Sequence, residues 1–315
     1  MTAAVALLAF ALALGWAAPR LLARLPHLDA HPRLALTAWF TSAAAFLLAL
    51  PAAGVMMVYP MTRYDFNRGG IVENCLAALR DLYGPTGGTV VAAVSAALVV
   101  VPAARFATSL AAAAATSRTT SRSHRRWLDR AADWDPALGV HVVPDGRPAA
   151  YCLPGADRQI AVTSGAIDAV DTASLRAVIA HERAHLGGHH HLPAGLAQTI
   201  ADTVPGVPLL ARLPERVGHL LERCADDVAS RTVPARDIAR GIVAFAEAGV
   251  TAPRTALSAG GGLAVSRVRH LVADTRKLGR RTALVATAAS ALVLAFPVAL
   301  AASPAAKLIE LSCFP

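Results

Sequence analysis

The sequence predicts an α-helical integral membrane protein of about four transmembrane helices, with one α+β domain on the cytoplasmic side of the bilayer. Three observations predict it. The chain of 315 residues is 55% hydrophobic and only 16% charged, too apolar for a water-soluble protein of this size. Four apolar stretches match a hydrocarbon core of about 30 Å, which takes about 20 helical residues to cross. A single polar segment, residues 117–281, is large enough to fold as a domain. It leaves residues 1–116 for three spans with short connections, and 282–315 for a fourth span and a short tail.

The spans run from Ala3 to Ala18, Leu34 to Val58, Gly88 to Ala104 or somewhat beyond, and Thr282 to Ala302. The first is short enough to read as the core of a signal peptide. It lacks a basic leading region, however, and is followed by Arg20 and Arg24, which favours a retained span. The 30 Lys and Arg outnumber the 21 Asp and Glu, but they gather beside apolar segments instead of along one face. That distribution reports topology, with the lipid bilayer as partner and no direct nucleic-acid binding expected. Arg20, Arg24 and Arg33 face only Asp29 in the first connection, whereas Arg63, Arg68 and Arg80 are balanced by Asp65, Glu73 and Asp81 in the second. Arg118, Arg122, Arg125, Arg126 and Arg130 precede the polar segment, and Arg276, Lys277, Arg280 and Arg281 follow it. The excess of positive charge on cytoplasmic loops therefore places that segment inside and both termini outside. Arg105, just past Pro102, is expected to snorkel from the third span to water.

Only Lys277 and Lys307 are lysines, and alanine is abundant, as in proteins from GC-rich bacterial genomes. The expected location is a bacterial plasma membrane. The four cysteines form no CxxC pair, which argues against a zinc knuckle or disulfide scaffold. A bridge between Cys75 and Cys313 on the outer side is left open.

Within the polar segment, Arg125 to Trp134 is amphipathic and reads as a surface helix or an extension of the third span. Three β-like runs follow, Gly139 to Val143, Ala149 to Leu153 and Gln159 to Thr163, separated by Pro144-Asp145-Gly146 and Pro154-Gly155-Ala156-Asp157. They predict a small antiparallel sheet. From Asp171 the periodicity turns helical, with Asp171 or Thr172 as N-cap and Gly187-Gly188 as the stop.

Leu175, Val178, Ile179 and Leu186 make an apolar face on this helix, so it is a buried element, where His181 and His185 are costly unless used. Four residues apart, both imidazoles project from one side, and a Zn²⁺ ion can take a nitrogen from each. Glu182 is then placed to take a proton from a metal-bound water. A second helix, about Glu215 to Thr232, offers Glu222 as third ligand, leaving one position of a tetrahedral site open. Asp226, one turn on, can accept the free N–H of a ligating histidine. The bland reading of Glu222, Asp226 and Asp227 is a solvated acidic face, and the preceding HExxH helix turns the balance against it.

The run Ala161-Val162-Thr163-Ser164-Gly165-Ala166-Ile167, then Leu175 to His185, then Glu222 and Asp226, resembles the gluzincin membrane peptidases. The resemblance covers mainly residues 139–232 and implies a zincin-like metalloendopeptidase domain with Zn²⁺ as cofactor. Two branches share the pattern. The placement of the domain between the third and fourth spans is similar to the BlaR/MecR antirepressor type, which implies a protein substrate such as a DNA-binding transcriptional repressor. The spacing of Cys224 and Asp226, split by Ala225, is nearer the HtpX-type and prenyl-protein endopeptidases. No extracellular penicillin-binding sensor is expected.

Other residues invite roles. His219, one turn before Glu222, can line the site, contact substrate or its transition state, or simply pack. His189, His190 and His191 read as a loop or helix cap in preference to a designed metal site, and Cys224 as structural. The proline-broken stretch Leu192 to Leu213 either dips toward the bilayer or walls a cleft. Substrate is expected as an extended strand on the sheet edge, at Ala149 to Cys152. Two readings from other classes remain. An inactive signalling scaffold would have no need of Glu182 and three ligands together. A transporter would place ionisable groups within the spans, which nearly lack them.

Overall fold

A computed structural model describes residues 2–25, 28, 30–59, 71–155, 158–247, 260–273 and 279–312. The Cys75 side chain and Cys313 lie outside the described residues, as do Arg63, Arg68 and Lys277. Four described helices are long and apolar enough to cross a membrane: α1 (Thr2–Ala23), α2 (Pro32–Val58), the apolar part of α3 (Ile71–Ala131), and α11 (Arg280–Ser312). Helix α3 bends at Gly84, whose φ of 80° is open to glycine without strain and which Pro85 follows. Beyond the bend it runs on through the Arg118 to Arg130 basic stretch, so that stretch extends the apolar helix. The helix stops at Ala131, and Trp134 falls in a strand.

The strands are β1 (Asp133–Asp135), β2 (Val140–Val143), β3 (Ala150–Leu153) and β4 (Gln159–Thr163), in the spatial order β1-β2-β4-β3. The expected antiparallel sheet is in fact mixed, because β2 and β4 run parallel while β3 pairs antiparallel with β4. Burial explains the difference. Ile160 to Thr163 are buried in succession, so β4 takes the centre, and the less buried β3 is displaced to the edge. Ala150 to Cys152 thus lie on an edge strand.

Helix α4 (Ser164–Ala169) follows β4 directly, and the Thr163 hydroxyl caps it by accepting the Ala166 N–H. Gly165 is needed there for space: a Cβ would overlap the Gly146 carbonyl, a backbone group that cannot swing away. Gly165→Ala is expected to cost about 1–3 kcal/mol, read as a lowered melting midpoint in detergent; an unchanged midpoint would show that the Gly146 turn yields.

Helix α5 (Thr172–Gly187) starts at Asp171, whose carboxylate accepts the Ser174 N–H at 2.7 Å. Leu175, Ile179 and Leu186 bury against Val140, Ile160 and Val162 of the sheet. Ala177 on another side packs with Ala229 and Ile238. These belong to α8 (Leu213–Ala229) and α9 (Ala235–Glu247). Between α5 and α8 come α6 (His191–Thr203) and the short α7 (Pro208–Ala211).

The proline-broken stretch packs against α1 and α2. Ala197, Ile200, Leu209 and Leu210 share one apolar core with Leu7, Trp39, Phe46 and Ala49 of α1 and α2. Leu213, Val217, Leu220 and Leu221 of α8 enter the same core. Arg105 does not simply snorkel: its guanidinium donates to the Asp202 and Thr203 carbonyls, each at 3.0 Å, which α6 leaves without helical partners. The last described element before α11 is α10 (Gly260–Val272), which packs on α8 and α9.

Candidate metal centre

Helix α8 is two-faced. One side carries the leucines that bury against α1 and α2, and this fixes the rotation of the helix. The other side then presents Glu222 and Asp226, one turn apart, to α5. Helix α5 is held just as firmly between the sheet and α8, so His181 and His185 face Glu222.

The three expected ligands converge. His181 Nε2 and His185 Nε2 are 3.0 Å apart, and each lies 3.3 Å from a different Glu222 carboxylate oxygen. A zinc ion with bonds of about 2.0–2.1 Å in tetrahedral geometry sets its ligands about 3.3 Å apart. The donor set fits such an ion in both spacing and chemistry, and these three residues can hold a metal.

Asp226 also lies where expected. It is fully buried, and its Oδ1 accepts the His181 Nδ1 proton at 2.8 Å, which leaves Nε2 as the ring nitrogen that faces Glu222 and His185. Burial and the neighbouring Arg267 charge pull the His181 imidazole down, yet hydrogen bonds to Asp226 and Glu222 prevail and lift it to about 9. Glu222 moves the opposite way: burial raises it, but the two histidines and Arg267 hold its carboxyl well below the usual range.

Glu182 sits beside the ligands, and burial pushes its carboxyl above the ordinary carboxylate range against the pull of His181 and His185. The Cys152 thiol of β3 hydrogen-bonds to it, and burial together with Glu182 drives that thiol far up. Cys224 is buried, and burial pushes its thiol up to about 11. Arg223 therefore does not activate it, and it packs as expected.

His219 is less engaged. It faces Glu215 at 3.9 Å, and its buried Nε2 has no hydrogen-bond partner among the described residues. It is not one of the three residues whose donor atoms converge, although the Glu222 charge one turn along the helix reaches it.

Sequence reasoning missed two neighbours of the site. His190 precedes α6, as a cap residue would, but its Nδ1 meets His185 Nδ1 at 3.0 Å. It stands to His185 as Asp226 stands to His181, and its place five residues after His185 was the only signal. Arg267 on α10 forks onto Asp226 and reaches Glu222 at 3.0 Å. It lies 41 residues beyond Asp226, with no motif to join them.

No curated protein and no solved structure matches the chain. Residues 128–276, which contain the sheet, the two helices that carry His181, His185 and Glu222, and Arg267, match the model of Peptidase family M48, and this segment is accordingly similar to metallopeptidases of the zincin type.

Proposed function

We propose that the protein is a membrane-bound zinc endopeptidase that hydrolyses a cytoplasmic or membrane protein. The observation that carries the proposal is the convergence of His181, His185 and Glu222 from two separately packed helices, with Glu182 alongside. Zinc held by these three would lower the pKa of a bound water and polarise a carbonyl. Asp226 holds His181 in the tautomer that offers Nε2. Glu182, raised by burial, is suited to take a proton and return it to a leaving amine. The edge of β3, next to α5, offers backbone groups to an extended peptide.

The basic flanks of residues 117–281 support a cytoplasmic catalytic domain in a plasma membrane, between a third and a fourth span. That arrangement favours an antirepressor-like role with a transcriptional repressor as substrate. The Cys224-Ala225-Asp226 spacing favours the second reading, an HtpX-like or prenyl-type processing protease. Purification in detergent, metal analysis, and cleavage of a co-expressed repressor against a generic unfolded substrate test these readings. A preparation without zinc, or a zinc-loaded one that cleaves nothing, would overturn the proposal.

Zinc binding is expected to release protons. The metal-free His181 stays protonated up to pH about 9, so at pH 7.5 its proton must leave before Nε2 can take a metal. Calorimetry in two buffers of different ionisation enthalpy should find about one proton released from this group at pH 7.5, and progressively less above pH 9. The same shift acts on stability. The folded value lies above the ordinary 6.5, so the protonated ring stabilises the metal-free fold below about pH 6.5, and this contribution is lost as pH rises through about 9. Zinc uptake without proton release would show that His181 is neutral in the metal-free protein.

A further inference from the structure

Helix α10 meets α8 through a row of polar contacts. Ser266 accepts from Arg223 at 2.7 Å, and His270 pairs with Asp227 at 2.8 Å. Between them, Arg267 reaches the metal centre. Its Nε donates to Asp226 Oδ2 at 2.8 Å and its Nη2 to Oδ1 at 2.7 Å, a two-point fork on one carboxylate. Its Nη1 lies 3.0 Å from Glu222 Oε2, so one planar guanidinium joins a ligand to the residue that orients another ligand. The Arg267 side chain is only 19% exposed and Asp226 not at all, so water offers them little competition.

We propose that Arg267 is a positioning residue of the metal centre, whose guanidinium fixes the carboxylate planes of Glu222 and Asp226 so that Glu222 and His181 present their lone pairs to one point. The proposal rests on the zinc-site reading given above. It also makes α10 part of the site instead of a connector to α11. Asp226 Oδ1 serves two donors at once, Arg267 Nη2 and His181 Nδ1 at 2.8 Å. With the fork gone, the Asp226 carboxylate can turn and take the His181 ring with it. Glu222 keeps its helix position but loses the contact that restricts its rotamer.

Simple charge repulsion predicts the reverse sign, and this makes the role decidable. A cation beside a divalent ion weakens its binding, so removing Arg267 would tighten zinc if charge alone mattered. Loss of an orienting partner weakens metal affinity by about 10–100-fold. Zinc release from the detergent-purified full chain into excess chromogenic chelator separates the two without any need for activity. Arg267→Met is expected to release zinc about 10–100-fold faster than wild type. Arg267→Lys keeps the charge but not the fork, and is expected to fall between them. It also decides the matter if the Met variant fails to fold. His270→Asn, which disturbs α10 docking one turn away, is expected to release zinc at the wild-type rate. Zinc held as long or longer in Arg267→Met, or wild-type release in Arg267→Lys, would overturn the positioning role. Equal acceleration in His270→Asn would overturn it too, since docking of α10 would then be the cause. A wild-type protein that binds no zinc would instead overturn the reading of the site.

Discussion

Glu182→Gln is expected to lower peptide hydrolysis by about 10²–10⁴-fold, the usual worth of a positioned general acid–base group, while zinc content stays at the wild-type level. The side chain is isosteric and lies outside the three-ligand set, so the metal centre keeps its donors. What the substitution removes is a carboxyl that burial raises above the ordinary carboxylate range and that can take up and return a proton. The variant should also lose the part of the acid limb that Glu182 contributes, leaving only the limb set by protonation of the histidine pair. Cleavage by Glu182→Gln at near wild-type rate would mean that another group takes the proton. Joint loss of zinc and activity would mean that Glu182 holds the site together instead of acting in the reaction.

Asp226→Leu carries the largest expected cost to the fold. Asp226 is fully buried, forked by Arg267 and bonded to His181, so its removal leaves a guanidinium in the interior with one carboxylate partner fewer. Breaking a buried pair from one side costs about 3–5 kcal/mol, and the surviving Glu222 contact puts this case at about 3 kcal/mol. Thermal unfolding of the metal-free protein in detergent should show it as a clear fall in midpoint. Asp226→Asn keeps both oxygen-side geometry and volume and should cost less. The double variant Asp226→Leu with Arg267→Met should recover part of the loss, because the orphaned charge is gone. An Asp226→Leu midpoint equal to wild type would show that the guanidinium finds water or Glu222 without penalty.

Much of the site could be read along the chain because its parts obey helical spacing. His181 and His185 are one turn apart on α5, as are Glu222 and Asp226 on α8, so a period of about four residues was enough to pair them. The N-cap at Asp171 and the apolar face of Leu175, Ile179 and Leu186 were equally local. Burial order in the sheet was not. Nothing in three short apolar runs tells which will be central, and β4 won that place through its continuous burial, which turned an expected antiparallel sheet into a mixed one. Arg105, which the sequence sends to water, is exposed and also reaches the bare carbonyls of Asp202 and Thr203, a contact no local pattern announces.

The sequence by itself determined the chemistry on offer: two imidazoles, a neighbouring carboxylate, a second acidic helix, and apolar stretches long enough to span a membrane. Each of these is a property of neighbours in the chain, and the backbone repeat of a helix converts it directly into a face. Only the tertiary structure decided which faces meet. It set Glu222 against His181 and His185 by anchoring the back of α8 in the core of α1 and α2, and it brought Arg267 across 41 residues onto Asp226. It also laid His190 on His185. Such contacts carry no sequence period, because they come from burying apolar faces first and satisfying the polar groups that burial strands together.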